Sequence, residues 1–257
     1  MNKTKIEWCD STWNPVTGCR HGCDYCYARR ISRRFGKELP DFSGYPATHC
    51  GGHMVDNKFD NNPYPFLFEP TFHAYRLKEP RHKKKPQTIF VCSMADLFGD
   101  WVPEEWIENV FYACQQAPQH TYLFLTKNPS RYGALAGAGR LPDSKNFWYG
   151  ATAADHQTAE ASMRYLPPVW RYNLFISVEP MLGSINLSAA EQYPKWIILG
   201  AMTGPGNKQH SPRREWVENI VEVARASGTP VYMKDSLLPI MGEENMLREL
   251  PWKENKQ

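Results

Sequence analysis

Apolar positions along the chain fall into two alternating patterns. Thr88-Ile89-Phe90-Val91-Cys92, Tyr122-Leu123-Phe124-Leu125, Phe147-Trp148-Tyr149-Gly150, Leu174-Phe175-Ile176-Ser177-Val178 and Trp196-Ile197-Ile198-Leu199 are short continuous apolar runs. Such runs predict strands covered on both faces, as in a parallel sheet. Between them the spacing turns helical. Trp106, Ile107, Val110, Phe111 and Cys114 share one face of a helix from Pro103, and Trp216, Val217, Ile220, Val221 and Val223 mark another over Glu215 to Ala226. A short helix is predicted after Pro129, with Tyr132 and Leu135 inward, and one over His156 to Leu166. Pro230-Val231-Tyr232-Met233 allows a further short strand. Near the N-terminus, Thr12 to Thr17 predicts a first strand. Tyr27, Ile31 and Phe35 predict the apolar face of a helix stopped by Gly36.

Strands alternating with helices imply parallel pairing with right-handed crossovers. Six such units fit a partial barrel. An open doubly wound sheet is the alternative, but the chain carries no Gly-rich dinucleotide fingerprint. The rhythm fails between Lys37 and Lys85, where Gly, Pro, His and aromatic residues are scattered. A long irregular insertion in a compact domain suits a lid. The whole chain, 1–257, is expected to form one domain, with 37–85 inserted and 235–257 a C-terminal covering segment.

Composition adds limits. Hydrophobic residues make up 42% of the 257 and aromatics 13%, which fits a folded globule. A net charge of +3 permits a nucleic-acid substrate without arguing for one. No apolar run is long enough to span a bilayer, and Met1 to Trp8 is no signal sequence. The seven cysteines form an odd set, so a reducing, cytoplasmic setting with thiols free for a metal is expected.

The candidate chemistry lies in Gly18-Cys19-Arg20-His21-Gly22-Cys23-Asp24-Tyr25-Cys26, where Cys19, Cys23 and Cys26 stand in the spacing C-x-x-x-C-x-x-C. Close thiolates are soft anionic ligands for a metal or cluster. Structural zinc takes four protein ligands, and Cys9, His21, Cys50 or His53 could supply a fourth. Three cysteines on a [4Fe-4S] cluster leave one iron open to S-adenosylmethionine. His49-Cys50-Gly51-Gly52-His53 is open to two readings, a second metal site or a polar loop. Arg81-His82-Lys83-Lys84-Lys85 is either a phosphate grip or a solvated run.

C-x-x-x-C-x-aromatic-C, here with Tyr25 as the aromatic, resembles the signature of the radical SAM superfamily. Ile6-Glu7-Trp8 through Thr12-Trp13-Asn14-Pro15-Val16-Thr17 resembles a phage-associated branch of it, known mostly as phage proteins of unknown function, and so do Phe90 to Phe98, Ser177-Val178-Glu179-Pro180 and Met233-Lys234. There is also a distant likeness to spore photoproduct lyase. The resemblance implies a partial (β/α)6 TIM-like barrel, a [4Fe-4S] cluster on Cys19, Cys23 and Cys26, and reductive cleavage of S-adenosylmethionine. It also implies hydrogen abstraction from a substrate and an external electron donor of the flavodoxin or ferredoxin kind. Tyr25 would lie near the adenine.

Parallel barrels gather chemistry at the C-terminal strand ends. The polar residues there are Ser93, Asp96, Thr126, Lys127, Thr152, Glu179, Thr203 and Lys234. Ser93 or Asp96 is expected to meet the amino group of S-adenosylmethionine, Lys127 beside Thr126 its carboxylate, and Glu179 its ribose or sulfonium. Gly200 to Gly206 permits close backbone approach to a ligand. No residue is singled out as catalytic. The alternatives are a zinc-stabilised nucleic-acid-binding module without turnover and an Fe–S electron carrier.

Overall fold

A computed structural model of the chain describes residues 1–37, 52–58, 62–166, 171–187, 193–204 and 207–253. The chain forms a mixed α/β fold with mostly parallel strands and divides into two compact units, Met1–Arg131 and Tyr132–Gln257.

In the first unit, β1 (Asn2–Lys3) runs antiparallel to β2 (Ser11–Trp13). β2, β6 (Thr88–Val91) and β7 (Thr121–Thr126) then pair in parallel. A second, three-stranded sheet joins β3 (Val16–Thr17), β5 (Thr71–His73) and β4 (His53–Val55), in that order. Helices α1 (Tyr27–Phe35) and α2 (Glu104–Gln115) complete the unit. β6 is buried at every residue, and α2 buries Trp106, Ile107, Val110, Phe111 and Cys114, as their spacing predicts.

Three expectations are corrected here. The single strand over Thr12 to Thr17 is two strands in different sheets, broken at Asn14-Pro15. Pro15 has no N–H to donate to a ladder, and its carbonyl accepts instead from His73 N–H at 2.7 Å. The apolar positions Tyr27, Ile31 and Phe35 do not form the buried face of α1, and Ile31 is only half-buried. Tyr27 and Phe35 are exposed, and Ala28 and Ser32 are buried. Finally, the segment after Lys37 is not wholly irregular. It holds β4, β5 and two 3-10 turns, Ala74–Lys78 and Pro80–His82, in elements too short to show a period. Arg76 fastens this segment to the strands. Its carbonyl accepts from Trp13 Nε1 at 2.9 Å, and its guanidinium donates to Asn14 O at 2.8 Å.

The helix α3 (Ser130–Gly137) carries the chain into the second unit, with Tyr132 and Leu135 buried as their spacing predicts. There β8 (Phe147–Thr152), β9 (Asn173–Val178), β10 (Ile197–Leu199) and β11 (Val231–Met233) pair in parallel in that order. α4 (His156–Tyr165) opens with a capping box between Asp155 and Thr158, and α5 (Arg214–Ser227) ends on Gly228 in the left-handed region. After α6 (Leu238–Met241) the chain returns along β11. Met233 N–H donates to Leu247 O at 2.8 Å, and Glu249 N–H to Val231 O at 3.0 Å. An otherwise open strand edge is thereby paired.

Candidate metal and cofactor site

The three-cysteine loop begins where β3 ends. Gly18 sits at φ +87°, and a Cβ there would lie 2.2 Å from Glu69 O, so only glycine fits. Its N–H donates to Met94 O at 2.9 Å, and Cys19 N–H donates to Phe68 O at 3.1 Å. A turn closes Cys23 O on Cys26 N–H at 3.2 Å. Cys26 then caps α1, its Sγ accepting from Arg29 N–H at 3.4 Å. Cys19, Cys23 and Cys26 are half-buried free thiols, whereas Cys92 and Cys114 are buried. Burial pushes the Cys19 thiol up to about 12. Negative charge at Asp96, Cys23 and Cys26 adds to this, and a backbone hydrogen bond at His21 opposes it. A metal bound there must displace the proton.

Asp96 ties the loop to the strand ends. It is 5% exposed. Its Oδ1 accepts from Thr126 Oγ1 at 2.7 Å and Phe98 N–H at 3.0 Å; its Oδ2 accepts from Lys127 N–H at 2.9 Å and meets His21 Nε2 at 2.7 Å. Sequence reasoning assigned Asp96 to the strand ends but missed this His21 contact, which joins the cysteine loop to the end of β7. The Ser93 hydroxyl and Met94 N–H both donate to Asn14 Oδ1, at 3.2 and 2.9 Å, and the Ser93 carbonyl accepts from Tyr27 OH at 2.6 Å. Lys127 reaches Tyr25, with Nζ donating to the phenol oxygen at 3.0 Å. The structure therefore gathers Cys19, Cys23, Cys26, Tyr25, Ser93, Asp96, Thr126 and Lys127 around one loop.

In the second unit, Glu179 follows β9 and forms an ion pair with Lys234, which follows β11. Gly200 lies between them. A Cβ there would stand 3.2 Å from carbons of both side chains, tighter than ordinary contact. Thr152 is the buried last residue of β8, and Thr203 is exposed.

A cleft of about 500 Å³ opens beside Cys19, lined also by Arg29, Arg33, His53, Phe66, Phe68 and Glu69. His53 stacks on Phe66 at 3.9 Å, and burial lowers its affinity for a proton. The basic run Arg81 to Lys85 is exposed and precedes β6, so it stands at the opposite end of that strand from Ser93 and the cysteine loop. His49 and Cys50, and with them the second metal reading, lie outside the described residues, as do Phe42, Tyr45 and Phe59.

Among the described residues, no three or more His, Cys, Asp or Glu side chains are gathered as a single metal ion would require. The donor set fits a cluster on other grounds. Three free thiols share one loop, and a cubane offers each its own iron. The α1 N-terminus at Cys26 suits the negative charge of a thiolate-bound cluster.

A family model matches residues 3–238. The chain belongs to DUF5131. That family is described only as a protein of unknown function, and the phage-associated branch finds no separate support in it. No curated protein sequence matches. In fold, the DUF5131 chain is similar to spore photoproduct lyase, a radical SAM enzyme. A cysteine-to-serine mutant of that enzyme gives a TM-score of 0.57 at 10% identity, covering 91% of this chain and 79% of that one. A cysteine-to-alanine mutant with dinucleoside spore photoproduct gives 0.52 at 11% identity, covering 85% and 75%. The fold of the DUF5131 chain is thus radical SAM-like. Among its described residues, no helix is long and apolar enough to cross a membrane.

Proposed function

We propose that this DUF5131 protein is a radical SAM enzyme. The observation that carries the reading is the loop of three half-buried free thiols, Cys19, Cys23 and Cys26, held at Gly18 and Cys19 by backbone bonds and at Cys26 by its cap on α1, in a radical SAM-like fold. The architecture proposed is a partial (β/α)6 barrel. These cysteines would hold a [4Fe-4S] cluster, and with S-adenosylmethionine it would supply reductive cleavage and hydrogen abstraction from an unactivated carbon.

The chain's own residues orient and shield. Asp96 holds the Cys19–Cys23 turn through His21 and the end of β7 through Thr126 and Lys127 N–H, so its carboxylate positions the loop. Lys127, steered by Tyr25, offers a cation for the carboxylate of S-adenosylmethionine, and Ser93 offers a hydroxyl. Glu179, paired with Lys234, is proposed for the ribose or sulfonium. Electrons are proposed to come from a flavodoxin- or ferredoxin-like donor in the cytoplasm. The neighbour solved with dinucleoside spore photoproduct supports nucleic acid as the proposed substrate class.

Purification without air tests the reading. About one four-iron cluster per chain, with cleavage of S-adenosylmethionine on reduction, is expected. A colourless protein holding stoichiometric zinc would overturn it.

A further inference from the structure

The cleft beside Cys19 carries the charge that the substrate reading needs, and the exposed lysine run does not. Helix α1 has four arginines in nine residues and no acid in its first turn. Arg29 and Arg33, one turn apart, both line the cleft. Like charges at this spacing repel, and a bound anion relieves that repulsion. Among the described residues neither guanidinium has a carboxylate within 4.0 Å. The one acid of the lining, Glu69, is already bridged to Arg20 at 3.2 Å.

The rest of the lining is largely aromatic. His53 lies parallel to Phe66, within 5°, and Phe68 takes the Arg29 guanidinium over its ring at 5.6 Å. Guanidinium forks grip phosphate oxygens in pairs, and aromatic faces stack bases. A cleft of about 500 Å³ has the size of a small-molecule site. Lys83, Lys84 and Lys85 stand beyond the N-terminal end of β6, four residues or about 13 Å of strand away from the loop end.

We propose that this cleft is the substrate subsite, and that it takes a nucleoside phosphate, with phosphate on Arg29 and Arg33 and base against the aromatic lining. The proposal rests on the radical SAM reading for its chemistry and on the cleft alone for its binding.

The test uses the full chain purified without air and three probes: inorganic phosphate, thymidine 5′-monophosphate and a fluorescein-labelled hexathymidylate. Thymidine monophosphate is expected to bind more tightly than phosphate. Arg33→Gln, an exposed position safe for folding, is expected to weaken nucleotide binding about tenfold, the scale of one lost charged hydrogen bond. Adding Arg29→Gln should lower the salt slope for hexathymidylate by about 0.7, one single-strand phosphate contact. Changing Lys83, Lys84 and Lys85 together to Ala should alter neither. Hexathymidylate binding tighter than the mononucleotide assigns the cleft to a strand, and equal binding assigns it to a free nucleotide. Unchanged binding in Arg33→Gln with Arg29→Gln, or loss in the triple lysine variant, overturns the proposal. Iron is assayed on the same samples. Arginine-dependent binding without iron keeps the subsite and removes the radical chemistry; iron without nucleotide binding does the reverse.

Discussion

Asp96→Ala tests whether one carboxylate holds the cysteine loop to the strand ends. Asp96 accepts four hydrogen bonds, and those from Phe98 N–H and Thr126 are fully buried. Alanine leaves both of those donors unpaired, at about 1–3 kcal/mol each. His21 and Lys127 N–H are partly exposed and recover water. Allowing for the desolvation that the lost charge no longer bears, the net cost is about 2–5 kcal/mol. For a chain of this size each kcal/mol lowers the melting temperature by about 2–4 °C, so a fall on the order of 10 °C is expected.

Asp96→Asn sharpens the test. The amide oxygen can keep Phe98 and Thr126, but its NH2 then faces Lys127 N–H, donor against donor. Flipping the amide only moves the conflict to Phe98 N–H. About half the loss is expected, and Thr126→Val should cost about 1 kcal/mol. Thermal unfolding followed by tryptophan fluorescence, with nine tryptophans as reporters, reads all three. A fall under about 2 °C for Asp96→Ala would refute the network argument.

Cys19→Ala, Cys23→Ala and Cys26→Ala should each abolish bound iron, whereas Cys92→Ala and Cys114→Ala, at buried strand-end and helix positions, should retain it by colorimetric assay. Glu179→Gln should weaken S-adenosylmethionine binding roughly tenfold by calorimetry at unchanged iron content, since a charged contact is lost. Equal affinity would assign Glu179 to Lys234 alone. His73 is 1% exposed, and burial first and Arg76 second hold its pKa well below the usual 6.5. The unfolded chain therefore takes up a proton below pH 6.5 that the folded chain refuses. Its contribution is complete above that pH and falls by about 1.4 kcal/mol per unit as pH drops. His73→Gln should flatten the dependence of the urea midpoint between pH 7 and pH 5, and an unchanged slope would refute the assignment.

The strands and helices that sequence pattern predicts well are those whose burial is set locally. β6 and β9 are apolar runs covered on both faces, and α2 buries the face that its spacing marks, while α5 buries Val217 and Ile220 of its predicted face with Trp216, Val221 and Val223 half-buried. α1 breaks the rule because it serves the cysteine loop and the cleft, so small Ala28 and Ser32 pack inward and aromatic residues stay outside. The second sheet escapes notice because its strands are two or three residues long, below any period-2 signal. The three cysteines are legible because they are neighbours in the chain. Asp96 is legible as a strand-end residue but its partners are not, since they lie 75 and 31 positions away, and Arg29 gives no local signal because the cleft it lines is built from His53 and Phe66 to Glu69.

The cysteine loop has one turn of its own, from Cys23 to Cys26, and its first half is held from two distant stretches. Met94 and Asp96 hold Gly18 and His21 from the strand ends, while Phe68 holds Cys19 from the segment that also lines the cleft. The Phe68 carbonyl accepts from Cys19 N–H, and the Phe68 ring meets Arg29, whose own N–H donates to Cys26 Sγ. One aromatic residue therefore touches the mounting of two candidate ligands and one wall of the candidate substrate site. This is why the cleft and the cysteines are best understood as one site.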